Sequence, residues 1–191
     1  TMKLEVFAAP ISGALTSSIN QVCDTGNSGT ITLSGHVGTI KQWEYKEVGG
    51  VWTILANTTT TQSFINLLKT TYYRALVVSD GPSTVCPSNK YTDSIKIQVD
   101  PASVGGTTAG ADTVCQGSNS GTITLSGKVG TVIRWEKSTD GINWTAISSS
   151  LTSQTYLNLT QTTQYRAVVR SGVCNEVYSS ITTITVNPIT P

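Results

Sequence analysis

Between Ser28 and Ser34 the chain alternates polar and apolar residues with a period of two, Ile31 and Leu33 separated by threonines, which predicts a strand with one buried face. The same letters return at 120–126, with Ile123 and Leu125 in the apolar places. Gly35-His36-Val37-Gly38 and Gly127-Lys128-Val129-Gly130 then read as turns. The following strand carries Trp43-Glu44 in one copy and Trp135-Glu136 in the other. A hairpin is expected at Val48-Gly49-Gly50 and at Asp140-Gly141-Ile142-Asn143, after which Trp52-Thr53 and Trp144-Thr145 open another strand. Phe64 with Leu67, or Tyr156 with Leu159, forms a strand that runs into a corner. A Tyr-Arg-Ala strand leaves the corner, and a Thr-Ile-Thr-Val type strand closes the unit. No stretch carries the 3.6-residue period of a helix. The expected fold class is therefore all-β, with about seven strands per repeat, the strand count of a sandwich.

An offset of 92 residues aligns Cys23 with Cys115 and Trp43 with Trp135, without a gap as far as Ala75 and Ala167. Beyond that strand the first copy carries an insertion at Asp80-Gly81-Pro82-Ser83-Thr84, which reads as a surface loop. The copies realign at Tyr91 with Tyr178 and Ile97 with Ile184. The expected domains are residues 10–101 and 102–191, two tandem sandwiches arranged end to end across the short link after Pro101. Residues 1–9 read either as the end of a preceding repeat or as the first strand. Pro10, Pro101 and Pro188 stand where strands should stop, because proline cannot donate to a ladder.

Leu67 to Tyr73, repeated as Leu159 to Tyr165, resembles the tyrosine corner of immunoglobulin-like and fibronectin type III domains, in which the tyrosine hydroxyl bonds to backbone just upstream. In antibody-type domains a buried Trp packs on an inter-sheet disulfide. Here Ala75 and Ala167 occupy the place of its second cysteine, so Trp43 and Trp135 are expected to fill the core themselves and to need an acceptor for the indole N–H. Strand parity turns Glu44 and Arg74 outward on neighbouring strands, and likewise Glu136 and Arg166. An exposed cross-strand ion pair follows, worth ~0–1 kcal/mol.

Composition narrows the function. The 191 residues carry a net charge of +1 and only 12% charged residues, which argues against nucleic acid as a partner. No apolar run is long enough for direct membrane insertion. The four cysteines fall two per repeat, and equivalent positions in tandem modules lie too far apart to bridge. The expected disulfides are thus Cys23–Cys86 and Cys115–Cys174, in an oxidising compartment, with four buried thiols as the alternative. Catalytic motifs are lacking: the one histidine, His36, is replaced by Lys128 in the second copy, and no nucleophile elbow, phosphate loop or zinc signature occurs. No catalytic residue, metal or cofactor is expected, although calcium at Asp140 or Asp80 remains an alternative. Ser138 to Trp144 approximates an Asp-box hairpin. Trp52, Trp144 and Tyr45 are the aromatics available to a carbohydrate-binding module, the competing function.

Taken together, Ser-Gly-Thr-Ile-Thr-Leu-Ser-Gly, Trp-Glu-x-Ser-x-Asp-Gly, Leu-Thr-x-Thr-Thr-x-Tyr-Arg-Ala-Val-Val and the late Gly-Val-Cys resemble the immunoglobulin-like repeats of very large secreted proteins of gliding Bacteroidota. That resemblance implies export, a cell-surface location with outer-membrane attachment through other parts of the protein, and adhesive or gliding-associated work. The expected partners are neighbouring repeats of the same polypeptide and a surface polysaccharide or protein ligand, and the fragment is expected to be monomeric.

Overall fold

The computed structural model describes residues 8–80 and 89–188, and the chain divides into two compact units, Thr1–Asp100 and Pro101–Pro191. Each is built of strands alone among the described residues. In the first unit β1 (Ala14–Ser17), β3 (Ser28–Ser34) and β6 (Thr61–Ile65) make a three-stranded antiparallel sheet in the order β1-β3-β6. The opposing sheet runs β2-β9-β7-β4-β5, from β2 (Gln21–Cys23), β9 (Ile95–Asp100), β7 (Thr71–Val78), β4 (Thr39–Glu47) and β5 (Thr53–Leu55). The short β8 (Asn89–Tyr91) pairs with the far half of β7.

The second unit repeats this plan. Its small sheet is β10 (Thr107–Ala109), β12 (Ser120–Ser126) and β15 (Ser153–Leu157). Its large sheet runs β11 (Asp112–Cys115), β18 (Thr182–Asn187), β16 (Thr163–Arg170), β13 (Thr131–Ser138) and β14 (Thr145–Ile147), with β17 (Val177–Tyr178) on β16.

Among the described residues, nine strands per unit replace the expected seven or so. The first strand divides and changes sheet, so that β2 and β11 lie parallel to the last strands β9 and β18. The last strand is also interrupted. At the break, the Ala75 N–H donates to the Thr92 hydroxyl and Ala75 O accepts from the Thr92 N–H, and Ser179 does the same for Ala167.

The alternation read from the sequence fills each interior. Trp43 and Trp135 are fully buried opposite Ala75 and Ala167, and share their cores with Tyr73 and Tyr165 respectively. Each indole N–H finds a carbonyl at 2.9 Å, Thr59 O in one unit and Leu151 O in the other. A bulge at Lys41 and at Ile133 interrupts the ladder just before each tryptophan.

Candidate functional site

The corner is held differently from the tyrosine corner it resembles. Asn27 donates to Cys23 O and Leu67 O at 2.7 and 2.8 Å, and accepts from the Leu67 N–H. Asn119 binds Cys115 O, Leu159 O and the Leu159 N–H in the same way. Tyr73 instead packs toward Tyr45 and Phe64, with ring centroids 6.3 and 6.2 Å away. Burial, with Tyr45 beside it, pushes its phenol up to about 12. The asparagine was missed from the sequence although it recurs at the same offset of 92 and stands four residues after each early cysteine.

The ion pairs have the expected register, Glu44 opposite Arg74 and Glu136 opposite Arg166, each with a 2.7 Å contact. They are not exposed. Glu44 is 4% and Glu136 6% accessible, because each arginine is sandwiched: Arg74 between Trp52 and Tyr91 at 4.0 and 3.9 Å, Arg166 between Trp144 and Tyr178 at 4.0 and 3.8 Å. Parity alone could not show a lid contributed by distant residues. Burial raises the Glu44 pKa, but hydrogen bonds from Arg74, Gln42 and Tyr91 outweigh it and hold the carboxyl below its ordinary value. The stacks also bear on carbohydrate binding. Trp52 and Trp144 are half-buried with a ring face covered by guanidinium, and Tyr45 is half-buried against the core, so these three do not form a bare platform.

Asp140 closes its own turn. Its carboxylate accepts from the side chain and N–H of Asn143, the N–H of Ile142 and the Ser138 hydroxyl, which together hold its pKa well below the ordinary range. Asp80 accepts from the Thr39 hydroxyl. Among the described residues no group of three or more potential ligands forms around either one. His36 is partly exposed in its turn.

The cysteines require a correction. Cys23 and Cys174 are both disulfide-bonded, whereas Cys115 is a free, exposed thiol. The expected Cys115–Cys174 bridge is therefore not formed, while Cys23–Cys86 involves Cys86, which lies outside the described residues, as does most of the Asp80–Thr84 insertion. The reason is topological. Cys115 lies opposite Asn187 at the end of β18, past the Thr163 end of β16, while Cys174 follows the Arg170 end. Its N–H bonds Ser171 O, and its sulfur lies 3.3 Å from Pro101 O. The eight residues of β16 span about 25 Å, and a disulfide needs α-carbons within about 7 Å. Placing the early cysteine on a strand parallel to the last one sends it to the far end of its sandwich.

One further concavity is present in the first unit, an open groove of about 390 Å³ between the edges β5 and β6. Tyr45, Leu55, Phe64, Leu67 and Tyr73 line it, and exposed Ile65 and Leu68 stand at its rim. The second copy has Lys137 in place of Tyr45 and Tyr156 in place of Phe64, whose hydroxyl bonds Asp112.

These features define the class as two tandem immunoglobulin-like β-sandwiches. Among solved structures, a marsupial T cell receptor is similar over 92% of this chain and 72% of its own, at 13% identity and a TM-score of 0.57. Domains A168–A170 of titin are similar over 96% of this chain and 68% of their own, at 14% identity and a TM-score of 0.50. Residues 12–101 and 104–188 each match the model of a family described as "Domain of unknown function (DUF8696)", and the chain belongs to that family. No curated protein matches it. Domains of this architecture are commonly non-catalytic structural or adhesive modules. The disulfide and fold are consistent with an extracellular domain, and among the described residues no helix is long and apolar enough to cross a membrane.

Proposed function

We propose that this chain is a non-catalytic repeat segment of a large secreted cell-surface protein, serving as spacer and adhesive module, as its resemblance to the repeats of gliding Bacteroidota implies. The observation that supports this most is the work done by the duplicated polar residues. Glu44 with Arg74, Glu136 with Arg166, and Asn27 and Asn119 all serve the scaffold, satisfying backbone or one another. Chemistry repeated in both copies is thereby spent on the fold, and recognition belongs where the copies differ. The β5–β6 groove is such a place, with Tyr45 and Phe64 changed in the second copy and an apolar rim suited to a surface polysaccharide or protein segment.

A glycan and surface binding screen of the chain beside Leu68→Asp tests this. Leu68 is 73% exposed, so the substitution leaves the core untouched. The expected result is binding without turnover that falls at least tenfold in the variant. Binding unchanged by the variant would move the site elsewhere, and turnover of any substrate would contradict the proposal.

A further inference from the structure

One row of side chains on the outer face of the first unit's large sheet has no counterpart in the second copy. Alternation turns Trp43, Tyr73 and Ile97 into the core, so Lys46, Tyr72 and Lys96 face outward from β4, β7 and β9. Register sets the three in line, with Lys46 opposite Tyr72 and Tyr72 opposite Lys96. In the second unit the same register joins Ser138, Gln164 and Thr183. A cation, an aromatic ring and a cation in one copy are thus three neutral polar residues in the other.

The row is prepared for an anion. Lys46 Nζ stands over the rings of Trp52 and Tyr72, 4.9 and 5.7 Å from their centroids, so aromatic faces and not a carboxylate hold it. Lys96 Nζ donates to Gln98 Oε1 at 3.2 Å. Among the described residues neither ammonium group forms an ion pair. The acids of the same strands are already engaged: Glu44 with Arg74, Glu47 with Lys69, and Asp100 with Gln98 and Gln21. Strand spacing puts the α-carbons of the two lysines about 10 Å apart, with Tyr72 between them.

We propose that Lys46, Tyr72 and Lys96 bind an acidic polysaccharide. The two ammonium groups pair with acid groups along the chain, and the tyrosine ring takes the apolar C–H face of a sugar between them. An acidic peptide fits this face less well. β4, β7 and β9 each have a strand on either side, so no backbone edge is open for an extended peptide to pair with. The site is separate from the β5–β6 groove, which Tyr45 and Tyr73 line from the core side of the same sheet, and either can fail without the other.

Affinity electrophoresis of the chain through gels containing polygalacturonate, its neutral methyl ester or polyglutamate tests this. Lys46→Ser, Tyr72→Gln and Lys96→Thr each follow the second unit at the same register, and thermal unfolding checks that each variant folds; should one not fold, the other two decide. Retardation is expected in polygalacturonate alone, with the affinity falling about fivefold or more in each lysine variant and about threefold in Tyr72→Gln. Lys41→Ser, which removes an exposed charge at the other end of β4, and Leu68→Ser, at the groove rim, should each leave the affinity within about twofold. The proposal is overturned by no retardation in polygalacturonate, by equal retardation in the methyl ester or in polyglutamate, or by a loss from Lys41→Ser as large as from Lys46→Ser. Loss through Leu68→Ser with none through the row would sink it too, while leaving the groove reading in place.

Discussion

Arg74 has aromatic rings on both faces and a carboxylate at its edge, so its removal strips a nearly buried Glu44 of its main partner. Arg74→Ala is expected to cost about 3 kcal/mol in a denaturant titration, as uncompensated buried charges do, and Glu44→Gln should cost less. The pH dependence follows from the lowered carboxyl. With its folded pKa below the ordinary 4.5, the stabilisation from Glu44 is complete above that value and is lost as pH falls through the folded pKa. Glu44→Gln should flatten that acid limb. Tyr73 acts at the other extreme. Its pKa is raised from 10.0 to about 12, so stability is full below pH 10 and declines as pH rises toward 12. The slope is about 1.4 kcal/mol per pH unit, and Tyr73→Phe should remove it. Parity in the sequence sufficed for the Glu44–Arg74 pairing and for the buried Trp43, since both follow from alternation along single strands. The lid of Trp52 and Tyr91 was not legible, because nothing local to either strand records which distant ring will lie over it.

At the level of strands and corners, one device joins the small sheet to the large one and another lets two strands of the small sheet pair closely. Asn119 ties the end of β11 to the end of β15 by three hydrogen bonds, and Asn119→Ala should cost about 1–3 kcal/mol by leaving backbone groups unpaired. Gly121 lies opposite Tyr156 on the neighbouring strand, and a Cβ there would come within 2.4–2.7 Å of the tyrosine ring and hydroxyl. Gly121→Ala should therefore destabilise more than Gly127→Ala, where the added carbon meets open space and the penalty is that of a positive φ of 67°. Thermal unfolding of the two variants side by side checks the order. Most strands could be read from alternation and turn residues, but the divided first strand could not. In the first copy it changes sheets between Ser17 and Gln21 without a proline or glycine to mark the break, and only Gly110 marks it in the second. That single omission carried the early cysteine to the wrong end of its sandwich and produced the mistaken Cys115–Cys174 bridge.

For the whole chain, duplication means that one module was solved twice, and the differences between copies stand out against a constant frame. The frame is scaffold: tryptophan cores, arginine stacks and asparagine clamps recur in both units. Tandem sandwiches and their family membership account for what the residue patterns record. Ligand choice is not written in periodicity, because a groove such as that between β5 and β6 depends on which side chains stand at two edges far apart in the chain. The central claim is that the topology of the second unit keeps its early cysteine, Cys115, away from Cys174 and leaves it a free thiol. Non-reducing peptide mapping of the purified chain, after alkylation of free thiols, tests it most directly: an alkylated Cys115 peptide with Cys174 held in a disulfide is predicted, and a Cys115–Cys174 peptide would contradict it.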